Sequence, residues 1–395
     1  MKKAGRTLEK RSFSGLLGSE RAQAIATPLF AIILSLIAAS IVFLLLGRNP
    51  LSAFYSLLQG SGFAPRPVYA ARRSMFTDFL TTLNALTPMV FASLAVAVAY
   101  KGGLFNIGVS GQMLVAGFVT TIVIGYSALP AGIAMPLVLL CGIVCGGAVG
   151  AFIGWLKHRF NTNEVVSSIM LNLIFMYIIS FFIQTNFINA VTRQSNPVSA
   201  ASRLTLVNVE GFGLRMDIPL GFILVIPTAF LIWYLLNKTR MGYELKAVGS
   251  NRKAAGYAGI NVGKTMILAM AVSGALAGLA GVTFYLGFFN SIQPRVLSAV
   301  GFDAIAVSLL GNAHPIGILF SSLLITIISR GSVYMSSMMN VPAEVAQVIT
   351  GLLLLFSACG AYFRQRYPFA QEIVLREKRP PKAKKSKEEE GGETE

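Results

Sequence analysis

The sequence predicts an all-α, polytopic helical membrane protein with about ten transmembrane helices and both termini in the cytoplasm. The first observation is composition, since 54% of the 395 residues are hydrophobic and only 12% are charged, as is typical of membrane domains. The second is the length of the apolar runs, because a transmembrane helix needs about 20 consecutive, mostly apolar residues. The third is the uneven distribution of Lys and Arg along the chain.

Ten apolar runs provide the predicted helices, and eight of them are long enough to cross a bilayer. These eight cover residues 28–46, 79–100, 104–126, 130–156, 165–183, 218–236, 267–289 and 345–363. The runs 296–310 and 316–328 are shorter and meet at a Gly-Asn-Ala-His-Pro turn. Sequence alone leaves open whether these two cross fully or fold back.

The Lys and Arg residues set the predicted orientation. With the N-terminus inside, 24 of the 33 basic residues fall in cytoplasmic segments, as the positive-inside rule requires. Those segments are residues 1–27, Lys101, 157–164, 237–266 and 364–395. The formal charge of +17 therefore indicates topology and a surface facing anionic lipid, and not nucleic-acid binding.

This orientation divides the chain into three parts. Residues 1–27 form a basic cytoplasmic segment, and residues 28–363 form the transmembrane domain. The tail 364–395 carries a basic block followed by an acidic one, and we expect it to be disordered. Within the transmembrane domain, the main cytoplasmic loop is 237–266 and the largest external loop is 184–217.

No enzyme site, cofactor site or metal site is predicted. Cys141 and Cys145 share a helix face, but two buried thiols make a poor metal site. Residues 258–265 (AGINVGKT) lack the first glycine of a phosphate-binding loop and are not preceded by a strand. Neither His158 nor His314 lies in a catalytic or zinc-binding motif.

The predicted full-length spans contain no Asp, Glu, Lys or Arg away from their ends, and the one exception elsewhere is Asp303 in a short run. Proton-driven carriers usually keep such residues inside the membrane. A proton-coupled mechanism is therefore disfavoured, whereas a sodium-coupled carrier that works through carbonyls and hydroxyls stays open.

Uncharged amides mark a candidate solute path. Residues 81–114 combine a mid-span proline, several glycines and polar side chains, as a broken helix lining a solute cavity would require. The same amides could instead join helices through hydrogen bonds, and both interpretations stay open. The candidate path residues are Asn84, Phe105, Asn106, Gln112 and Asn172.

Two further segments have clear local patterns. Gly142, Gly146, Gly150 and Gly154 recur every fourth residue, which predicts a groove for close helix packing. The loop 240–265 contains helix-forming sequence with a break at Gly-Ser-Asn, where Ser250 or Asn251 would cap the next turn.

Three motifs together resemble a known family. LFNIGVSGQ (104–112), NEVVSSIMLN (163–172) and GYELKAVGSNRKAAGYAGI (242–260) followed by SGALAGLAG resemble the integral-membrane permease subunits of bacterial ABC importers. The similar branch serves nucleosides, simple sugars and branched-chain amino acids, and the second motif favours the nucleoside and simple-sugar side. The resemblance spans about residues 81–363. Ser110 departs from it, because the family pattern has an acidic residue there.

The resemblance implies a coupling helix in the cytoplasmic loop, which docks into a groove on an ATPase subunit. The residues that match this role are Gly242, Glu244, Lys246, Ala247, Gly249, Asn251, Arg252, Lys253, Ala254, Ala255 and Gly259. An ordinary surface loop with inside-positive charge is the alternative.

The resemblance also implies the partners and the place of action. We expect a second permease, identical or related, two ATPase subunits that use the ATP, and an extracytoplasmic solute-binding protein, assembled in the bacterial cytoplasmic membrane. The solute would be small, neutral and polar, with a nucleoside first and a simple sugar next. The alternative is a sodium-coupled secondary transporter that acts without ATPase partners.

Overall fold

The computed structural model describes residues 20–356 apart from 212, 343, 346, 353 and 354. Within these residues the chain forms twelve α-helices and one β-hairpin, followed by helical residues between 345 and 356. The helices are α1 (Glu20–Leu45), α2 (Pro50–Gly60), α3 (Met75–Lys101), α4 (Val109–Thr120), α5 (Ala131–Phe160), α6 (Glu164–Phe182), α7 (Val225–Lys238), α8 (Arg240–Ser250), α9 (Arg252–Tyr257), α10 (Val262–Val282), α11 (Val300–Leu310) and α12 (Pro315–Met339). The predicted tail 364–395 and most of the N-terminal segment lie outside the described residues.

Seven of the described helices are long and apolar enough to cross a membrane, namely α1, α3, α5, α6, α7, α10 and α12. The spans of α6, α7 and α10 include short helical extensions and cover Glu164–Phe187, Leu220–Lys238 and Val262–Phe288. The predicted polytopic helical class is confirmed. Their outward-facing side chains are large and apolar, as at Leu45, Phe181 and Phe230, and such extended apolar surfaces mark contact with lipid.

Three predicted spans differ from the observed helices. The run 316–328 belongs to the 25-residue helix α12, so it is long enough to cross. The run 104–126 becomes helical only at Val109, and the run 218–236 becomes α-helical only at Val225. The run 345–363 lies partly outside the described residues.

α11 remains short, with 11 residues. At about 1.5 Å per residue it is roughly 16 Å long, which is about half of the hydrocarbon core of a bilayer.

α3 is the central helix. Of its most apolar window, 89% is buried, against 67% or less in the other six long helices. It packs against α10, α11 and α12. Its C-terminal residue Lys101 lies against Gly249 of α8, so Lys101 is at the end of the bundle that carries α8 and α9. We call this the α8–α9 end, and Met75 lies at the opposite end.

α5 and α10 pack through their glycines, as the four-residue spacing predicts. A Cβ atom added to Gly146 would overlap the carbonyl oxygen of Gly274, and one added to Gly278 would overlap the carbonyl oxygen of Gly142. The two backbones are therefore in direct contact, which is the arrangement that small residues permit between membrane helices.

A β-hairpin interrupts the helical pattern at the opposite end of the bundle. β1 (Thr205–Gly211) pairs antiparallel with β2 (Leu214–Pro219), and Gly213 adopts a φ of +73° in the turn. The segment 184–217 was predicted to be an external loop without strands, so the hairpin is an addition to the predicted architecture.

We expect Gly146→Ala to lower the thermal stability of the purified chain, because the new methyl group has only backbone atoms to displace. Overpacking of this kind costs about 1–3 kcal/mol. The matched control is Gly147→Ala, whose Cβ would find its nearest neighbour at 3.5 Å and should be tolerated. Melting curves in detergent compare the two variants, and equal melting temperatures would contradict the direct backbone contact.

Candidate functional site

The corner between α7 and α8 is fixed by local chemistry. The Thr239 hydroxyl accepts a hydrogen bond from the backbone N–H of Gly242 at 3.2 Å, which caps the first turn of α8. A Cβ on Gly242 would overlap the carbonyl oxygen of Leu235, so this close return of the chain requires glycine. Gly242 thus positions α8 against the end of α7.

α8 and α9 are separated by a helix break, as predicted. Of the two candidate caps, the structure selects Asn251, whose Oδ1 accepts hydrogen bonds from the backbone N–H groups of Lys253 at 3.0 Å and Ala254 at 3.1 Å. The chain therefore changes direction at Asn251.

The two helices bury one side and expose the other. Leu245, Val248 and Ala255 are buried against the bundle. Tyr243 is 71% exposed and Tyr257 is 94% exposed, although both are large aromatic residues. An exposed aromatic pair on a short helical segment is a common feature of protein interfaces.

The predicted coupling residues fall into three groups by exposure. Lys246, Asn251, Lys253, Ala254 and Gly259 are exposed, Glu244, Ala247, Gly249 and Arg252 are half-buried, and Gly242 and Ala255 are buried. Tyr243 and Tyr257 were not among the predicted coupling residues. The exposure of Tyr243 could have been predicted, because it lies off the apolar face of α8 that Leu245 and Val248 define; Tyr257 lies in α9, outside that pattern.

The corner between α8 and α9 touches the segment 102–108 that links α3 to α4. A Cβ on Gly103 would lie 2.8 Å from the Cα of Gly249, and Gly103 has a φ of +68°. The Arg252 Nη2 donates a hydrogen bond to the carbonyl oxygen of Gly103 at 2.9 Å. The exposed helices are thus attached directly to a non-helical segment that enters the bundle.

Asn106 is the centre of a buried hydrogen-bond network in that segment. Its Nδ2 donates to the Gln112 Oε1 at 3.0 Å and to the Ser273 Oγ at 2.8 Å. The Ser273 hydroxyl donates in turn to the carbonyl oxygen of Ala95 at 2.7 Å. The Asn106 Oδ1 accepts from the N–H of Gly108 at 2.9 Å. The network therefore joins α3, α4 and α10.

Asn172 on α6 holds the same segment from another side. Its Oδ1 accepts from the N–H of Gly111 at 3.0 Å, and its Nδ2 donates to the carbonyl oxygen of Ile107 at 3.0 Å. Both polar groups of this buried amide are satisfied by backbone atoms that have no helical partner.

Three of the five predicted path residues therefore converge, namely Asn106, Gln112 and Asn172. Asn84 lies elsewhere and accepts a hydrogen bond from the Thr205 hydroxyl of β1 at 3.2 Å. Phe105 is half-buried. The interhelical hydrogen bonds that were one interpretation of these amides are present, and their contact with a solute stays a prediction.

The short helices α4 and α11 begin beside each other. The Ser110 Oγ donates to the carbonyl oxygen of Ser298 at 2.9 Å, and a Cβ on Gly301 would overlap the Ser110 hydroxyl. From this point the two helices run to opposite ends of the bundle. Ser110, where the family pattern has an acidic residue, is used for this contact.

Beside its Lys and Arg residues, the α8–α9 end carries two carboxylates in ion pairs, Glu164 with Lys157 at 3.0 Å and Glu244 with Arg240 at 2.8 Å. Burial, with a smaller effect of the Lys101 charge, lowers the pKa of His314, so this imidazole is neutral at pH 7. Among the described residues, no three His, Cys, Asp or Glu side chains are grouped as metal ligands.

Together, the lipid-facing helices, the broken intramembrane segment and the exposed helix pair define a membrane transport subunit. The chain belongs to the family described as branched-chain amino acid transport system / permease component, which matches residues 79–358.

Three relatives show the range of this similarity. The nucleoside ABC transporter permease protein NupB of Lactococcus lactis subsp. cremoris is 31% identical over 376 residues, covering 93% of this chain and 100% of the relative. The guanosine ABC transporter permease protein NupP of Bacillus subtilis is 33% identical over 350 residues, covering 87% and 96%. A glucose ABC transporter permease protein of Haloferax volcanii is 27% identical over 305 residues, covering 74% and 80%.

Proposed function

We propose that this chain carries nucleosides across the bacterial cytoplasmic membrane as one permease subunit of an ABC importer. Two relatives that match most of the chain are named for nucleoside and guanosine transport, and this supports a nucleoside as the solute. The glucose permease matches a smaller share of the chain at lower identity, so a simple sugar is the second candidate.

The observation that carries the proposal is the exposed helix pair α8 and α9. It offers two exposed tyrosines and two exposed lysines on one surface, and its other surface is anchored in the bundle. Separate ATPase subunits would dock on this surface and hydrolyse the ATP, so the chain itself needs no catalytic residue or cofactor.

The attachment of the α8–α9 corner to Gly103 provides the route for coupling. A displacement of this corner by an ATPase acts on segment 102–108 through Arg252 and through the Gly249 backbone contact. That segment also carries Asn106, which is bonded to Ser273 of α10. A movement of the α8–α9 corner would therefore be transmitted to the centre of the bundle through these few residue contacts.

The remaining partners follow from the same arrangement. A second permease, identical or related, would complete a path that the half-length helix α11 cannot enclose alone. An extracytoplasmic solute-binding protein would dock at the opposite end, where the hairpin exposes Glu210 between Arg72 and Arg215.

For the solute path, we assign direct contact to Phe105 and a supporting role to the four amides. Phe105 is the one candidate among the five with partly exposed surface, and an aromatic ring can stack on a nucleobase. Asn84, Asn106, Gln112 and Asn172 would fix the shape of the wall, because their polar atoms have partners within the chain.

We expect Tyr257→Ala to reduce the amount of ATPase that co-purifies with the tagged chain by about tenfold or more, since interface aromatic residues often contribute 2 kcal/mol or more. ATP-dependent uptake of labelled guanosine by proteoliposomes should fall in parallel. Tyr55→Ala is the control, because Tyr55 is a half-exposed residue on α2, away from the α8–α9 surface.

Retention of the ATPase by the Tyr257 variant would contradict the docking surface. Uptake by the purified chain alone, driven by a sodium gradient without ATPase, would contradict the importer and favour a secondary carrier.

We expect Arg252→Ala to leave the ATPase bound while lowering guanosine uptake per ATP hydrolysed by about fivefold or more, because the lost charge-assisted hydrogen bond is worth roughly 1.5–3 kcal/mol. Arg159→Ala removes an exposed arginine beside the start of α6 and should leave this ratio unchanged. If both variants keep the parent ratio, Arg252 has no part in coupling.

We expect Phe105→Ala to raise the KM for guanosine uptake by about tenfold with little change in melting temperature, as removal of a stacking contact should. In contrast, Asn106→Ala should lower the melting temperature, because it removes the hydrogen bonds of the Gln112 amide to Asn106 and one of the two hydrogen bonds of Ser273, at a cost of about 1–3 kcal/mol. An unchanged KM in the Phe105 variant would remove this residue from the path.

A further inference from the structure

Arg330 is an ionisable residue inside a membrane-spanning helix. The predicted run 316–328 ended before this residue. Arg330 lies in α12, beyond the middle of a helix that extends to Met339. Its Nε atom is buried and has no hydrogen-bond partner. Its guanidinium lies 5.3 Å from the ring centroid of Phe288. Among the described residues, the ion pairs are formed by other side chains.

The neighbouring charges do not neutralise Arg330. The carboxylate of Asp78 contacts Arg66 at 3.0 Å, so its charge is already paired. The Nε and Nη2 atoms of Arg66 donate to the carbonyl oxygens of Gln59 and Gly60, each at 3.2 Å. Asp78 also interacts with the charges of Arg330 and Arg73, so three guanidinium groups share one carboxylate and the cluster keeps a net positive charge.

A cavity lies between the two arginines. Its volume is about 250 Å³, and its lining residues are Gly60, Arg66, Arg330, Val333, Tyr334 and Ser337. The lining includes two guanidinium groups and two hydroxyl groups and contains no carboxylate. The Arg66 guanidinium is 4.5 Å from the ring centroid of Tyr334, which fixes the position of that arginine on one wall.

The size and position of the cavity narrow the class of ligand. At roughly 30 Å³ per water molecule it has room for about eight waters, which suits a headgroup or a small anion. It lies at the end of the bundle opposite α8 and α9, beside α2 and the last turns of α12. Val333 on its rim is 62% exposed, so the cavity opens toward the lipid-facing surface.

We propose that this cavity binds a phosphate group, whose negative charge balances Arg330. An unpaired charge at membrane depth costs several kcal/mol, and a bound anion removes that cost. Paired N–H donors of guanidinium groups match the oxygens of phosphate, and the hydroxyl group of Tyr334 adds a further donor to the lining. The phosphate comes either from an anionic lipid headgroup or from free phosphate.

The test measures binding to the purified full chain in a neutral detergent. The probes are inorganic phosphate, dioctanoyl phosphatidylglycerol and sodium acetate, and the readouts are the shift of melting temperature and bound mass in native mass spectrometry. We expect phosphate chemistry to bind with a Kd below about 1 mM and acetate to bind more weakly.

Arg330→Gln should weaken this binding by about tenfold or more, because a charge-assisted interaction is lost. Arg193→Gln is the control, since Arg193 is exposed on the loop after α6, and its affinity should stay within about twofold of the parent. If Arg330→Gln does not fold, Tyr334→Phe serves instead, since it removes only the hydroxyl group and keeps the ring beside Arg66, and it should weaken binding by about threefold.

The possible results distinguish the two sources of phosphate, and they include results that overturn the proposal. Binding of both phosphate probes identifies a site for free phosphate, and binding of the lipid alone identifies a headgroup site. The proposal is overturned if neither phosphate probe binds, if acetate binds as tightly, or if Arg330→Gln and Tyr334→Phe both keep the parent affinity. None of these readouts depends on ATPase coupling or on nucleoside uptake.

Discussion

The arrangement of this membrane domain depends on how the backbone of residues 102–108 is satisfied. This segment is not helical, and an unpaired N–H or C=O group inside a bilayer costs several kcal/mol. The groups at the start of the segment bond back to the last turn of α3. Side chains satisfy three further groups. Arg252 donates to the carbonyl oxygen of Gly103, Asn172 donates to the carbonyl oxygen of Ile107, and Asn106 accepts from the N–H of Gly108. Three side chains thus substitute for the helix that the segment lacks.

This constraint explains why the side chains that hold segment 102–108 inside the bundle, Asn106 and Asn172, are amides and not charges. An amide offers both a donor and an acceptor without the desolvation cost of an ion. Asn172 uses both functions on one stretch of backbone, and Asn106 uses both to join α3, α4 and α10. The same segment receives α8 and α9 at its exposed end. One short stretch therefore links the α8–α9 end, the centre of the bundle and three of its helices.

Much of this architecture could be predicted from the sequence because its signals are local. Long apolar runs predict the spans, the four-residue glycine spacing predicts a groove for close helix packing, and a cap at Ser250 or Asn251 follows from the side chains of these residues. The length of α12 was underestimated because Ser329, Arg330 and Ser332 interrupt the apolar run, and only neighbouring elements make that interruption tolerable. The hairpin was missed although Thr205, Val207 and Val209 are β-branched at alternate positions and Gly213 follows them, a recognisable strand and turn signal. The partners of Asn84 and Asn172 could not be predicted, since they lie far away along the chain.

The glycine contact between α5 and α10 also limits which substitutions can accumulate in this sequence. In an ordinary core, a larger residue on one helix is accommodated by a smaller one opposite, so pairs of positions can change together over time. Here Gly146 faces Gly274 and Gly278 with backbone atoms already touching, and no residue is smaller than glycine. Neither helix has side-chain volume that could be removed at this contact. A larger residue on one helix therefore cannot be compensated by a smaller residue on the other. Divergence at this seam would require the two helix axes to move apart, together with every element packed around them.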